Sequence, residues 1–525
     1  LIFLRAIAAS QAGRQRIIIA ACAALLTACA VGPDFKRPSA PEAAGYTPQA
    51  MADGTAAAAG VAGNAQRFVM GRDISFAWWT QFQSARLNAL VEQALKANPT
   101  ITAAQAALAQ AQEFVSAQRG YFYPTVGAGL TPQRQKLAGN LSSNAPGLQG
   151  NGTTIGGTQS GPVYYNFYTA QLSLSYSPDI FGGNRRQVEL LQAQAEALRY
   201  QMEATYITLA TNVVAAAIQE ASLHSQIEAT QAMIEQNAKA LEILHNQFKL
   251  GYVMAIDVAT QDAALAQAKT LLAPLQKQLA QTHDLLRALC GVLPNQKLDD
   301  DFDLAQLHLP QDLPLSLPSK LVEQRPDIRA AEEQLHAASA EVGVAIAARL
   351  PQFTITGALG GAASELSQMF SSGAGFWSLT GGIAQTLFDG GTLLHHERAA
   401  DQGLLQAQAQ YRSTVIGAFQ NVADTLHAIE SDADALAAAV QAEQAAQQVL
   451  SVTEKQEQLG YVNFQTLLSA QEAYAQARIN LLQARTNRYG DTAALYQALG
   501  GGWWNRAEVS GGNVEGAQLA VASKP

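Results

Sequence analysis

Cys29 closes the tetrapeptide Leu26-Thr27-Ala28-Cys29 behind a short apolar run, and a thiol in that setting is a lipid acceptor. A lipoprotein signal peptidase requires a small residue such as Ala28 before the cysteine. The sulfur is first thioether-linked to diacylglycerol, and the bond before it is then cut. The run Ile17 to Leu26, behind Arg5, Arg14 and Arg16, holds only about ten residues, where a helix crossing the hydrocarbon core needs roughly twenty. It reads as a cleaved export signal and not as a span. Residues 1–28 are the expected signal peptide, and the mature chain starts at Cys29 with a covalent lipid and no other cofactor. Ala30, standing where an aspartate would retain the protein, favours onward sorting to the outer membrane.

Other arrangements with chemical potential fail on spacing. His395-His396-Glu397 has ligand-type side chains, but adjacent residues point to different sides of a helix, and no His-x-x-x-His or cysteine pair accompanies them, so no metal is expected. The glycine-rich stretch Gly150 to Gly161 has no Lys-Ser or Lys-Thr pair and opens no helix; it reads as an extracellular loop rather than a phosphate cradle. With Cys22 in the signal and Cys29 lipidated, Cys290 stands alone, a small buried hydrophobe that cannot form an intramolecular disulfide. No nucleophile, base and oxyanion donors converge, and no enzymatic activity is expected. Without Arg5, Arg14 and Arg16 the mature chain carries 30 basic and 42 acidic residues, a formal charge of −12 that makes nucleic acid a poor partner.

The elements around these residues are duplicated. Asn98-Pro99-Thr100-Ile101-Thr102-Ala103-Ala104 returns as Arg325-Pro326-Asp327-Ile328-Arg329-Ala330-Ala331, and each copy runs 25 residues to its next proline, Pro124 or Pro351. Leu250-Gly251-Tyr252-Val253 recurs unchanged as Leu459-Gly460-Tyr461-Val462. Each half also holds two segments of period-two alternation. Val126, Ala128 and Leu130 oppose Thr125, Gly127 and Thr131; Leu172, Leu174 and Tyr176 oppose Gln171, Ser173 and Ser175. In the second half Phe353, Ile355 and Leu359 oppose Gln352, Thr354 and Thr356, while Trp377, Leu379 and Ile383 oppose Ser378 and Thr380. One apolar face and one small polar face is the pattern of a membrane barrel, with a half-buried soluble sheet as the alternative. Four strands cannot close; a dimer would give eight and a trimer twelve, and only the trimer comfortably leaves an open lumen.

From Asn184 to Leu250 no proline interrupts a seam of Val188, Leu191, Ala195, Leu198, Met202, Thr205 and Leu209, then Leu223, Ile227, Thr230, Ile234, Asn237, Leu241, Leu244 and Phe248. About 67 residues at 1.5 Å each make a helix of roughly 100 Å. The shorter helices, stacked end to end, match it in length, and the second half repeats the arithmetic. The expectation is an internally duplicated α+β membrane protein: a trimeric 12-stranded transmembrane β-barrel, four strands per chain, on a long periplasmic α-helical coiled-coil barrel. Gly251 and Gly460 are the expected left-handed caps of hairpins at the end distant from the membrane.

These residues resemble the TolC-like outer-membrane factors of tripartite efflux pumps, in the OprM/NodT lipoprotein branch. The resemblance rests on Cys29-Ala30-Val31-Gly32-Pro33-Asp34-Phe35-Lys36-Arg37-Pro38, Trp78-Trp79, Arg325-Pro326-Asp327-Ile328, Leu387-Phe388-Asp389-Gly390-Gly391 and Leu499-Gly500-Gly501-Gly502-Trp503. It implies a lipidated N-terminal and equatorial region at 29–97, a first repeat at 98–294 (β-hairpin 124–178, helical hairpin 184–290) and an equatorial linker at 295–324. A second repeat at 325–502 (β-hairpin 351–388, helical hairpin 390–499) and a flexible tail at 503–525 complete the chain. It also implies a homotrimer in outer-membrane lipid, gated at its periplasmic tip and engaged by a periplasmic adaptor and an inner-membrane pump of the RND type. Asp257, six residues after Gly251, matches an acidic latch of the first hairpin. In the second hairpin the aspartate of relatives' Thr-Leu-Leu-Asp-Ala-Gln is replaced, since the chain reads Thr466-Leu467-Leu468-Ser469-Ala470-Gln471. The aperture candidates are thus Asp257, Thr466 and Ser469. Gly251, Tyr252, Val253, Gly460, Tyr461 and Val462 are the candidates for adaptor contact, with Tyr252 and Tyr461 as anchors. The implied function is passive export of drugs or other small toxic compounds. A protein-secretion (type I) channel or a lipid-anchored coiled-coil scaffold without a pore are the alternatives.

Overall fold

The computed structural model describes residues 30–137, 163–298 and 301–506, apart from Ala44, Ala50, Met51 and Asp53. The lipid-acceptor tetrapeptide and the glycine-rich loop therefore lie outside the described residues. In chain order the elements are β1 (Arg67–Met70), α1 (Ala85–Ala97), α2 (Pro99–Arg119), β2 (Thr125–Leu137), β3 (Val163–Tyr176), α3 (Gly183–Lys249) and α4 (Ala255–Leu289). The second series is β4 (Asp312–Leu315), α5 (Pro318–Gln324), α6 (Pro326–Ala348), β5 (Gln352–Ala363), β6 (Gly375–Ala384), α7 (Thr392–Gln458) and α8 (Phe464–Ala498). Both long helices have 67 residues, and both α4 and α8 have 35. No helix among the described residues is long and apolar enough to cross a membrane.

The duplication reaches upstream of 98 and 325. Each copy begins with a short strand and a helix, β1-α1 or β4-α5, and the two strands pair with each other in parallel from Arg67↔Asp312 to Met70↔Leu315. The segment expected as a linker is thus half of a two-stranded sheet. The residue before each repeat's proline closes the repeat on itself. Asn98 donates from Nδ2 to the carbonyl of Leu289 at the end of α4 (2.8 Å), and Arg325 donates to the carbonyl of Ala498 at the end of α8 (2.7 Å). Both partners are carbonyls of a last helical turn, which lack intrahelical donors.

The chain divides into two compact units. Of the described residues, one gathers those up to Lys36 and those within Ala111–Ala195 and Leu335–Ala407; the other holds those within Arg37–Gln110 and Glu196–Gln334 and those from Gln408 onward. The second unit contains the main core, where Trp78 stacks on Tyr496 at 5.1 Å and Phe82, Leu87, Val214, Ile218, Leu286, Cys290, Leu313 and Leu426 are buried. Here the narrow seam expected on the long helix is exceeded. Between Tyr206 and Leu223 only Thr208, Asn212, Ala215 and Gln219 stay exposed, because the small sheet and α1 cover a second side of α3. Farther along, Asn237 remains buried and accepts from Gln261 of α4 at 2.9 Å, so this polar seam residue fixes the register of the hairpin. Phe248, expected in the seam, is exposed instead.

The C-terminal boundary also moves. Trp503 is buried against Tyr200, Trp504 Nε1 donates to Asp73 (3.0 Å), and Arg506 pairs with buried Glu203 at 2.6 Å. Residues 503–506 are therefore packed structure rather than tail; residues 507–525 lie outside the described residues.

Candidate functional site: a two-faced sheet and two helical tips

Within the first unit, β2, β3, β5 and β6 form one antiparallel sheet in that order, joining the two hairpins through β3 and β5. The register aligns like with like. One row across the sheet is Thr125, Ser175, Thr356 and Thr380, all hydroxyls. Rows of the other parity read Ala128, Leu172, Leu359, Trp377 and Val126, Leu174, Gly357, Leu379. Trp377 is 75% exposed and Leu379 70%; the loop at Met369 overhangs part of this face, and among the described residues its apolar rows otherwise stay largely exposed. A soluble sheet would bury it; a contiguous exposed apolar face is a binding surface for lipid or protein. Aromatic side chains flank the band, Tyr164 and Phe370 toward the loops and Tyr123 and Phe388 toward the helices, the placement of interfacial girdles. The edges of the sheet, β2 and β6, each have one partner within the chain.

A family profile described as "Outer membrane efflux protein" matches residues 90–292 and 317–501. The chain belongs to the outer membrane efflux protein family. Its two matched segments correspond to the two structural copies. The pyoverdine export outer membrane protein OpmQ of Pseudomonas putida is 28% identical over 426 residues, covering 81% of this chain and 88% of its own length. The toluene efflux pump outer membrane protein TtgF of the same species is 28% identical over 485 residues, covering 91% and 95%. Among solved structures, the outer-membrane channel OprN superposes with a TM-score of 0.78 at 26% identity over 90% of this chain and all of that one. The fold and the outer-membrane efflux role expected from the resemblance therefore stand.

At the helical tips of this outer membrane efflux protein, the repeated tetrapeptides make the same turn. Gly251 has φ +80° and Gly460 φ +78°, and open space surrounds both. Tyr252 N–H donates to the Gln247 carbonyl (2.9 Å) and Tyr461 N–H to that of Gln456 (2.8 Å), a Schellman closure that explains why glycine recurs there. Tyr252 and Tyr461 are each 78% exposed, whereas Val253 and Val462 are half-buried. Leu250, Met254, Ile256 and Leu459, which periodicity did not single out, add to an exposed apolar tip. Their signal in sequence was a run of apolar residues that continues past the end of the seam.

The aperture candidates divide by role. Asp257 and Thr466 occupy equivalent positions, six residues past their glycines, and both take part in the N-terminal cap of their helix, Asp257 as an acceptor and Thr466 as a donor. Asp257 accepts from Met254 N–H at 2.9 Å, while Asn463 accepts from Thr466 N–H (3.0 Å) and from its hydroxyl (2.8 Å). Ser469 is exposed one turn into α8.

The segment following Cys29 has a built seat within the first unit. Val31 N–H donates to the Phe181 carbonyl (3.1 Å), and Gly32, at φ +94°, lies so close to α6 that a Cβ there would fall 2.4 Å from Gly343 Cα. The buried Arg186 guanidinium donates to Val31 O (3.0 Å), Gly32 O (3.3 Å), Asp34 (2.7 Å) and Glu189 (2.8 Å), and Phe35 stacks on His336 at 4.4 Å. Burial on its own would lower the Arg186 pKa, but the hydrogen bonds and charges of Asp34 and Glu189 together outweigh it and hold the guanidinium above its ordinary value. Sequence gave no signal for Arg186 or Gly343.

Proposed function

We propose that three copies of this chain close a twelve-stranded barrel and act as the passive exit duct of a tripartite efflux pump. Four strands with open edges need neighbours. The observation that carries the reading is the sorting of side chains across all four strands, exposed apolar rows on one face and rows of mostly small or hydroxyl-bearing residues on the other. Threefold repetition would give a lumen ringed by small polar groups, suited to many solutes and specific for none. The apolar tips around Tyr252 and Tyr461 are the docking end for a periplasmic adaptor, and an inner-membrane pump of the RND type supplies the energy. Ser469 lines the aperture, a ring of hydroxyls where relatives carry carboxylates. Cys29 carries the lipid, and Arg186 holds the segment after it against the helix that follows β3. Solute passes without covalent chemistry at any residue.

A photo-crosslinking amino acid at Tyr461 in living cells, with mass spectrometry of what is captured, tests the docking end. An efflux-type adaptor is the expected product. Capture of a secretion-type adaptor, or of none by a folded trimer, overturns the assignment. Planar-bilayer conductance tests the pore: a trimer that never conducts, even with hairpin variants that loosen the tips, is a scaffold.

A further inference from the structure

Arg134 and Lys136 are the only charged side chains in the four strands of the sheet, and both stand on its apolar face. They share parity with Val126, Ala128, Leu130 and Pro132, so the outward side of β2 runs apolar from the helix end and then turns basic toward the loops. Both are exposed, and neither has an acidic partner among the described residues. Lys136 Nζ lies 5.4 Å from the ring centre of Tyr164, which fixes the ammonium at the level of the upper aromatic girdle. An unpaired cation on the lipid face costs about 2–4 kcal/mol at the bilayer midplane and roughly 0–1 near the interface, so this pair belongs at headgroup depth.

Below the cations the same face carries a cavity of about 730 Å³. Its floor is the cross-strand row Leu130, Ala170, Gly361, with Leu172 and Leu359 beside it, and the loop residue Met369 overhangs it. Gly361 permits the overhang, since a Cβ there would lie 2.2 Å from the Met369 carbonyl oxygen. Four residues of β2, or about 13 Å, separate Leu130 from Arg134. An apolar recess beneath two cations matches an acyl chain beneath a phosphate. The mature chain is acidic overall, so general attraction to anionic lipid does not explain the pair.

The geometry points to a specific site for a phosphorylated, multiply acylated lipid of the outer leaflet, the lipid A class, with phosphate on Arg134 and Lys136 and an acyl chain in the recess under Met369. The inference rests on the reading that the apolar face meets lipid. The full-length protein in neutral detergent is titrated with diphosphorylated lipid A and with its dephosphorylated form, and bound lipid is counted by native mass spectrometry. We expect at least tenfold stronger retention of the phosphorylated form, lost in the R134Q/K136Q variant and kept in R134K/K136R, with binding of the dephosphorylated form unchanged throughout. Equal retention of both forms, or full retention by R134Q/K136Q, overturns the headgroup site alone. Retention of neither form, with the protein recovered outside the outer-membrane fraction, overturns the lipid-facing reading as well.

Discussion

Replacing Gly343 by alanine should strengthen the helix it belongs to and loosen the segment that crosses it. Gly343 lies inside α6, where alanine gains up to about 1 kcal/mol over glycine. The added Cβ, however, would sit 2.8 Å from Arg186 Cγ, 2.9 Å from the Val31 carbonyl oxygen and 3.0 Å from Arg186 Cδ. The arginine cannot swing away without breaking its bonds to Val31, Gly32, Asp34 and Glu189, and the second obstacle is backbone. Overpacking of this kind costs about 1–3 kcal/mol. The relief expected is for residues 30–36 to lift off, because this segment is the outer of the two partners, with Asp34 itself 87% exposed, whereas Arg186 is buried and keeps Glu189 when the segment leaves. Hydrogen exchange read by mass spectrometry should therefore show protection of residues 30–36 falling about five- to 150-fold, with protection of α6 equal or higher. The control is Gly403→Ala, a helical glycine with nothing within 4 Å, which changes propensity alone. If the crossing segment keeps its protection in Gly343→Ala, or loses it equally in Gly403→Ala, the close crossing is not what seats it.

Three further outcomes follow from the geometry. Burial, and then the hydrogen bond and repulsion from Asp491, push the Asp432 carboxyl up to about 7 against the pull of Arg488. The native chain therefore binds more protons than the unfolded one between the ordinary carboxylate range and neutrality, and stability declines as pH rises through that window. Asp432→Asn should flatten the decline, adding on the order of 1 kcal/mol above neutral pH once solvent screening is allowed for; difference infrared spectroscopy should show a protonated carboxyl at pH 6 that the variant lacks. Trp377→Arg, on the exposed apolar row, should reduce assembly into the outer membrane by about 2–4 kcal/mol, whereas Thr380→Arg, on the hydroxyl row, should assemble normally and lower conductance. Equal effects of the two would reverse or abolish the facing of the sheet. Ser469→Asp should make single-channel conductance sensitive to divalent cations, and an unchanged response removes Ser469 from the aperture.

What could be read from the chain alone was what repeats locally. Period-two alternation in residues 125–131 and 352–359 marked strands and their faces because each strand's two sides meet different solvents, and absence of proline marked the long helices. The parallel pair β1 and β4 was not legible: Arg67-Phe68-Val69-Met70 and Asp312-Leu313-Pro314-Leu315 are four residues each and pair across the whole of residues 98–294. No local periodicity encodes such a contact, and with it went the reason that α3 is buried on more than one side. The crossing of Gly32 over Gly343 was hidden for the same reason, since a glycine inside a helix looks like a propensity defect until the backbone that needs its bare Cα is seen.

The tips show the opposite case, in which sequence identity was legible but its meaning was not. The acid at Asp257 suggested charge, yet its carboxylate caps a helix, and Thr466 at the matching position takes part in a cap supplied by Asn463. Two copies reach one turn with different side chains, while the glycine and its Schellman bonds are common to both. The form of the tip is therefore set by backbone geometry, and its charge is free to vary. Ser469 lies exposed one turn into α8, where a change of charge would leave the caps and Schellman bonds of the hairpin untouched.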